Sequence, residues 1–108
     1  MNDISTTEQF EEAARSPEGR LVLFYSAWCP FCTSFLPVYD KAAAAAPARF
    51  ARLRTDDLEE LEDRFGVEVV PTVLFFRNGK LEKRLDGLLG RGLNADQLRD
   101  FAAACGRD

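Results

Sequence analysis

The sequence predicts an α/β chain built on a mixed sheet of about four strands, with helices on both faces. Three observations predict it. Apolar runs that suit buried strands alternate with segments of helical periodicity. A strand hairpin followed by a helix closes the chain. Two cysteines three residues apart, Cys29 and Cys32, stand where the first strong strand gives way to a helix.

The elements follow in the order α-β-α-β-α-β-β-α. Ser5-Thr6-Thr7-Glu8 fits a capping box, with the Ser5 hydroxyl three residues ahead of Glu8. Phe10, Ala13 and Ala14 recur at helical spacing, so a first helix is expected from about Thr6 to Arg15. Ser16-Pro17-Glu18-Gly19 breaks it. Leu21 to Tyr25 is continuously apolar, as a strand covered on both faces requires. A long helix is expected from about Pro30 to Ala46, ending in the helix-favouring run Ala42 to Ala46. Pro37 falls inside it, so a kink is expected there.

Phe50 to Thr55 alternates apolar and polar residues and reads as a strand. Asp57 to Phe65 begins acidic and stops before Gly66, which suits a helix dipole. Pro71 to Phe76 is a strand opened by proline, Asn78-Gly79 a tight turn, and Lys80 to Asp86 the returning strand. Gly87, Gly90 and Gly92 mark a loop. Asn94 can cap a last helix that turns Leu98, Phe101 and Ala102 inward. No linker, internal repeat or low-complexity tract divides the chain, so residues 1–108 are expected to form one domain.

The chain has 108 residues, 46% hydrophobic and 30% charged, which suits a globular core rather than disorder. A net charge of −4 with no Lys/Arg cluster argues against nucleic acid as a partner. No apolar stretch approaches the roughly 20 residues of a membrane span. The N-terminus carries neither a basic start nor an apolar signal core, so a cytoplasmic location is expected. In a reducing compartment three cysteines would not make a structural disulfide framework.

The Cys29-Pro30-Phe31-Cys32 segment carries the chemistry. Residues i and i+3 in a first helical turn bring their Cα atoms within the ~4.4–6.8 Å that a disulfide tolerates. The pair can therefore close and open without unfolding the chain. Pro30 favours the first helical position and pushes Cys29 out of the α region, which makes Cys29 the expected N-cap. Its sulfur would then face the free N–H groups of Phe31 and Cys32, and the positive helix end would favour a thiolate there. A thiolate is the nucleophile of disulfide exchange. Cys29 is expected to be the exposed attacker, and Cys32 the more buried resolving thiol. A zinc site within one chain needs four ligands, and the sequence offers three cysteines and no histidine. A metal cluster shared between two chains and an inert pair are the remaining alternatives.

Beyond the cysteine pair, further features occur in order. These are Ala27-Trp28-Cys29, Pro37 five residues after Cys32, Phe65-Gly66-Val67, Val70-Pro71-Thr72, Phe75-Phe76-Arg77-Asn78-Gly79 and Gly87. From about residue 20 to residue 102 the chain thereby resembles the thioredoxin family. The resemblance implies a thioredoxin fold, with Pro71 as a cis proline beside the dithiol. Without it, Pro71 reads as an ordinary proline opening an edge strand. With it, Val70 would offer its backbone to an extended substrate segment. Trp28, Pro30, Phe31, Val70, Pro71 and Gly87 would form the substrate-binding rim around Cys29. Core packing is the alternative for Trp28 and Phe31.

Three departures matter. Leu23 stands where the family usually carries a buried Asp, and Arg52 where a Lys partner of that Asp is common. The dipeptide between the cysteines is Pro-Phe rather than Gly-Pro, nearer the Pro-Tyr of glutaredoxins. There is little room for the usual first strand ahead of the first helix. Without the carboxylate, Cys32 would lie in apolar surroundings and its pKa should rise, slowing the resolving step.

The expected function is a thiol-disulfide oxidoreductase that reduces disulfide-containing substrate proteins through Cys29 and Cys32. It would need no bound cofactor, act as a monomer and be restored by a reductase, since no nucleotide fingerprint appears. A glutaredoxin-like, glutathione-dependent reductase is the second reading, and a binding module on the same fold the third. Cys105, after Ala102 to Ala104, is expected to be a small buried residue, with a surface thiol that dimerises on oxidation as the alternative.

Overall fold

A computed structural model describes residues 2–105. The elements are β1 (Asn2–Ile4), α1 (Thr7–Ala14), β2 (Arg20–Tyr25), α2 (Pro30–Ala45), a 3-10 turn (Pro47–Arg49), β3 (Phe50–Arg54), α3 (Glu59–Arg64), β4 (Thr72–Arg77), β5 (Lys80–Asp86) and α4 (Ala95–Ala104). They form a mixed five-stranded sheet in the order β1-β3-β2-β4-β5. The sheet has one strand more than expected. Asn2, Asp3 and Ile4 pair in parallel with Ala51, Arg52 and Leu53. Three residues are too few to display a period of two, and of them only Ile4 is buried.

β2 runs parallel to β3 and antiparallel to β4, so it lies centrally and is covered on both sides. Its alternate side chains divide between two apolar clusters. Val22 and Phe24 join Phe10, Ala13, Ala14, Leu61 and Val67 under α1 and α3. Leu21 and Leu23 join Phe35, Tyr39, Ala43, Leu98 and Cys105 under α2 and α4. This explains why the strand reads as an unbroken apolar run. The Tyr39 hydroxyl lies within bonding distance of two carbonyl oxygens, Leu21 at 3.1 Å and Ala51 at 2.9 Å, which satisfies its buried polar atom.

Some boundaries move. Thr6, not Ser5, caps α1, and its capping box closes on Gln9 rather than Glu8. Both registers satisfy the same spacing rule, so the pattern alone cannot choose. α3 begins at Glu59 because Asp57 and Leu58 are spent in turns back to Arg54 and Thr55. α2 contains Pro37 and stops at Ala45, since Pro47 pushes Ala46 to an extended φ of −151°. Asn78 and Gly79 both take positive φ, 54° and 80°, as a two-residue hairpin turn demands. Asn94 caps α4 in a box with Gln97, and Leu98 is buried on its inner side. β4 lies between β2 and β5, so Pro71 does not open an edge strand.

Candidate active site

The end of β2 delivers the cysteine pair. Thr55, just past β3, donates its N–H to the Tyr25 carbonyl at 2.8 Å and fixes where β2 stops. Ser26, Ala27 and Trp28 then turn the chain into α2. Cys29 is the N-cap, with extended backbone at φ −93° and ψ 121°, and Pro30 holds the first helical turn. The sulfur, however, makes no cap hydrogen bond. The Cys29 Sγ instead donates to the Val70 carbonyl oxygen at 3.6 Å. The expected aim at the N–H groups of Phe31 and Cys32 is therefore corrected: the thiol turns across the turn toward the proline loop. The Cys29 carbonyl accepts from the N–H groups of Cys32 and Thr33, both at 3.1 Å, as a helix start requires.

Cys32 is 1% exposed. Its sulfur accepts the Ser26 N–H at 3.4 Å. Burial pushes this thiol up to about 12, the neighbouring Cys29 thiol adds to the rise, and the Ser26 N–H opposes it. The rise anticipated from Leu23 is thus present. Leu23 is fully buried in the cluster with Phe35, Tyr39 and Val73, and brings no carboxylate. Arg52, paired in register with Leu23, turns to other acids: Asp3 at 2.6 Å and Asp40 at 3.0 Å.

The Val70–Pro71 bond is cis. Thr72, buried behind it, holds the loop from both sides. Its hydroxyl donates to the Val69 carbonyl at 2.6 Å and accepts the Gly87 N–H at 3.3 Å. Gly87 must lack a side chain, because a Cβ there would collide with the Pro71 carbonyl oxygen. Gly92, at φ 69°, is crowded less severely: a Cβ there would lie 2.9 Å from the Phe31 Cβ. These contacts bring Cys29, Phe31, Val70, Pro71 and the loop 87–92 to one end of the sheet.

The surface there is apolar. Trp28 is 85% exposed and Phe31 39%, so neither is core packing. Leu88 and Leu89, at 54% and 88%, extend the same surface and were missed in the sequence. The signal was available: two adjacent leucines in a glycine-bounded loop cannot both turn inward. The loop is closed on itself by the Gly92 and Arg91 N–H groups, each 2.9 Å from the Leu88 carbonyl. Ser26 and Asp56 were also missed, since polar residues after a strand read simply as loop. Cys105 is buried at the C-terminal end of α4 and far along the chain from the pair.

Comparison with known proteins identifies the family and the fold. The chain is 41% identical over 75 residues to the protein disulfide-isomerase of Gallus gallus, a match covering 65% of this chain and 15% of that protein. It thus spans a small part of that relative. It is 26% identical over 111 residues to a thioredoxin of Neurospora crassa, covering 99% of this chain and 87% of the relative. In fold it superposes on the crystal structure of a Malassezia sympodialis thioredoxin with a TM-score of 0.86 at 20% identity, covering 99% and 91% of the two chains. The thioredoxin family model matches residues 2–104, and with the five-stranded sheet and the cysteine pair at the start of α2 the chain belongs to the thioredoxin family.

Proposed function

We propose that the protein is a thiol-disulfide oxidoreductase that reduces protein disulfides. The observation that carries this reading is the unequal setting of two free thiols one helical turn apart. Cys29 is partly exposed beside the Val70 carbonyl and an apolar rim, whereas Cys32 is buried behind it. Family membership and the disulfide-isomerase relative support the class of chemistry.

In this reading the Cys29 sulfur attacks a substrate disulfide, forming a mixed disulfide and releasing the first substrate thiol. Cys32 then attacks Cys29, the intramolecular disulfide forms, and the second substrate thiol leaves carrying the proton that Cys32 gives up. Trp28, Pro30, Phe31 and Val70 form the substrate rim, with Leu88 and Leu89 added; Pro71 and Gly87, expected in it, are buried and support it from beneath. A reductase partner returns the two electrons. An insulin-reduction assay tests the proposal: the native chain is expected to be active and Cys29→Ser inactive. Equal activity in both would end it.

Isomerisation is a second reading, favoured by the 41% identity to a disulfide-isomerase. Reactivation of a scrambled disulfide protein faster than insulin reduction would place it first.

A further inference from the structure

We propose that Asp56 is a positioning residue for the resolving step, holding the Ser26 N–H on the Cys32 sulfur through the turn that precedes Cys29. The inference rests on the dithiol reading above and goes beyond it, because no sequence feature pointed to this residue.

The geometry is a clamp on a three-residue turn. The Asp56 carboxylate accepts from the Ser26 hydroxyl at 3.3 Å and 3.5 Å and from the Ala27 N–H at 3.3 Å. The Ser26 hydroxyl oxygen in turn accepts the Trp28 N–H at 3.2 Å. The Cys29 N–H reaches the Ser26 carbonyl at 3.5 Å. One carboxylate thereby holds the Ser26 side chain and the Ser26–Ala27 peptide, the links that follow the Ser26 N–H donated to Cys32. Asp56 itself is fixed from behind, since Thr55 is tied to the Tyr25 carbonyl by both its N–H and its hydroxyl.

The chemistry needs that donor. When Cys32 resolves the mixed disulfide, its S–H bond breaks, its sulfur carries negative charge as it attacks Cys29, and the Cys29–substrate S–S bond breaks. The proton ends on the departing substrate thiol. A hydrogen bond to the charged form lowers the cost of that charge in a buried site. With Leu23 where a carboxylate could have stood, Ser26 N–H is the group facing the sulfur. A donor helps only if it is already aimed: Thr55 holds the carbonyl of the Tyr25–Ser26 peptide, and Asp56 holds Ser26 from its other side.

The titratable groups acting on Cys32 are the Cys29 thiol and Asp56, and both raise it. Asp56 therefore has two separable effects. Its hydrogen bonds place the donor, and its charge works against ionisation of Cys32. Asp56→Asn keeps an acceptor and removes the charge, whereas Asp56→Ala removes both.

The test measures the single-turnover rate at which Cys32 releases substrate from the Cys29 mixed disulfide, as a function of pH. Asp56→Ala is expected to slow release about tenfold at pH 7, the loss of roughly one aimed hydrogen bond. Asp56→Asn is expected to stay within about threefold of native, with the alkaline rise of the rate moved to lower pH. A purely structural role would lower thermal stability in both variants without moving the pH profile. Native release rates and an unmoved profile in both variants would overturn the proposal. If Cys32→Ser traps no mixed disulfide at all, the oxidoreductase reading itself fails, which is a different result.

Discussion

Cys32 and Cys105 are buried to nearly the same degree, 1% and 3% exposed, and burial raises both thiols, to about 12 and about 11. Their neighbourhoods have little else in common. Cys105 ends α4 among Leu98, Phe101 and Ala102, and its backbone carbonyl is held by Arg49 at 3.0 Å. Cys32 lies one turn from a second thiol and beneath a directed N–H. Burial alone makes a quiet thiol. What distinguishes Cys32 is a partner sulfur within reach and a donor ready for its charge.

The largest expected break in this comparison is Cys32→Ser. Turnover on a protein disulfide should fall at least about a hundredfold, as expected when one member of a cooperating pair is lost. The mixed disulfide through Cys29 should accumulate and be visible by intact mass. Leu88→Ser with Leu89→Ser should cut the rate on a protein disulfide about five- to tenfold while sparing a small aromatic disulfide, because apolar contact area is what is removed. Equal losses on both substrates would remove the leucines from the rim.

Leu23→Asp is expected to speed the resolving step several-fold by supplying a proton acceptor. It should also lower stability by about 2–4 kcal/mol, since it buries a carboxylate among Phe35, Tyr39 and Val73. Stopped-flow release and urea denaturation measure the two effects. No gain in a rate that resolution limits would refute the proton-acceptor argument.

The smallest effect belongs to Cys105→Ala. Turnover should stay within about twofold, and stability should fall by about 1 kcal/mol for the lost sulfur contacts. Stability against pH sharpens the contrast. A thiol whose pKa is higher folded than unfolded favours the native state below about 9, and that advantage fades as pH climbs toward 11 and 12. The native chain should therefore lose stability across this window. Cys105→Ala should roughly halve the slope between about 9 and 11 and leave the loss that belongs to Cys32.

Much of the fold was legible because one physical signal dominated each element. β2 reads as an apolar run since both of its faces are covered, and Asn78-Gly79 reads as a turn since both positions need positive φ. β1 was not legible. It has three residues, and its place beside β3 is set by pairing that the sequence does not display. The two cysteines and the proline loop were legible as spacing. The direction of the Cys29 sulfur was not, because Val70 is 41 residues away and competes with the local N–H groups only in three dimensions. Ser26 and Asp56 were hidden for the same reason: they meet across 30 residues.

Gly87 and Gly92 also divide labour within their loop. Each is pinned where a Cβ would strike a neighbour, Pro71 in one case and Phe31 in the other. The four residues between them are all exposed. Such a segment behaves as an interchangeable tip on two fixed hinges. Under the proposed function, exchanging its side chains would retune which proteins dock, while the sulfur chemistry beside them stays as it is.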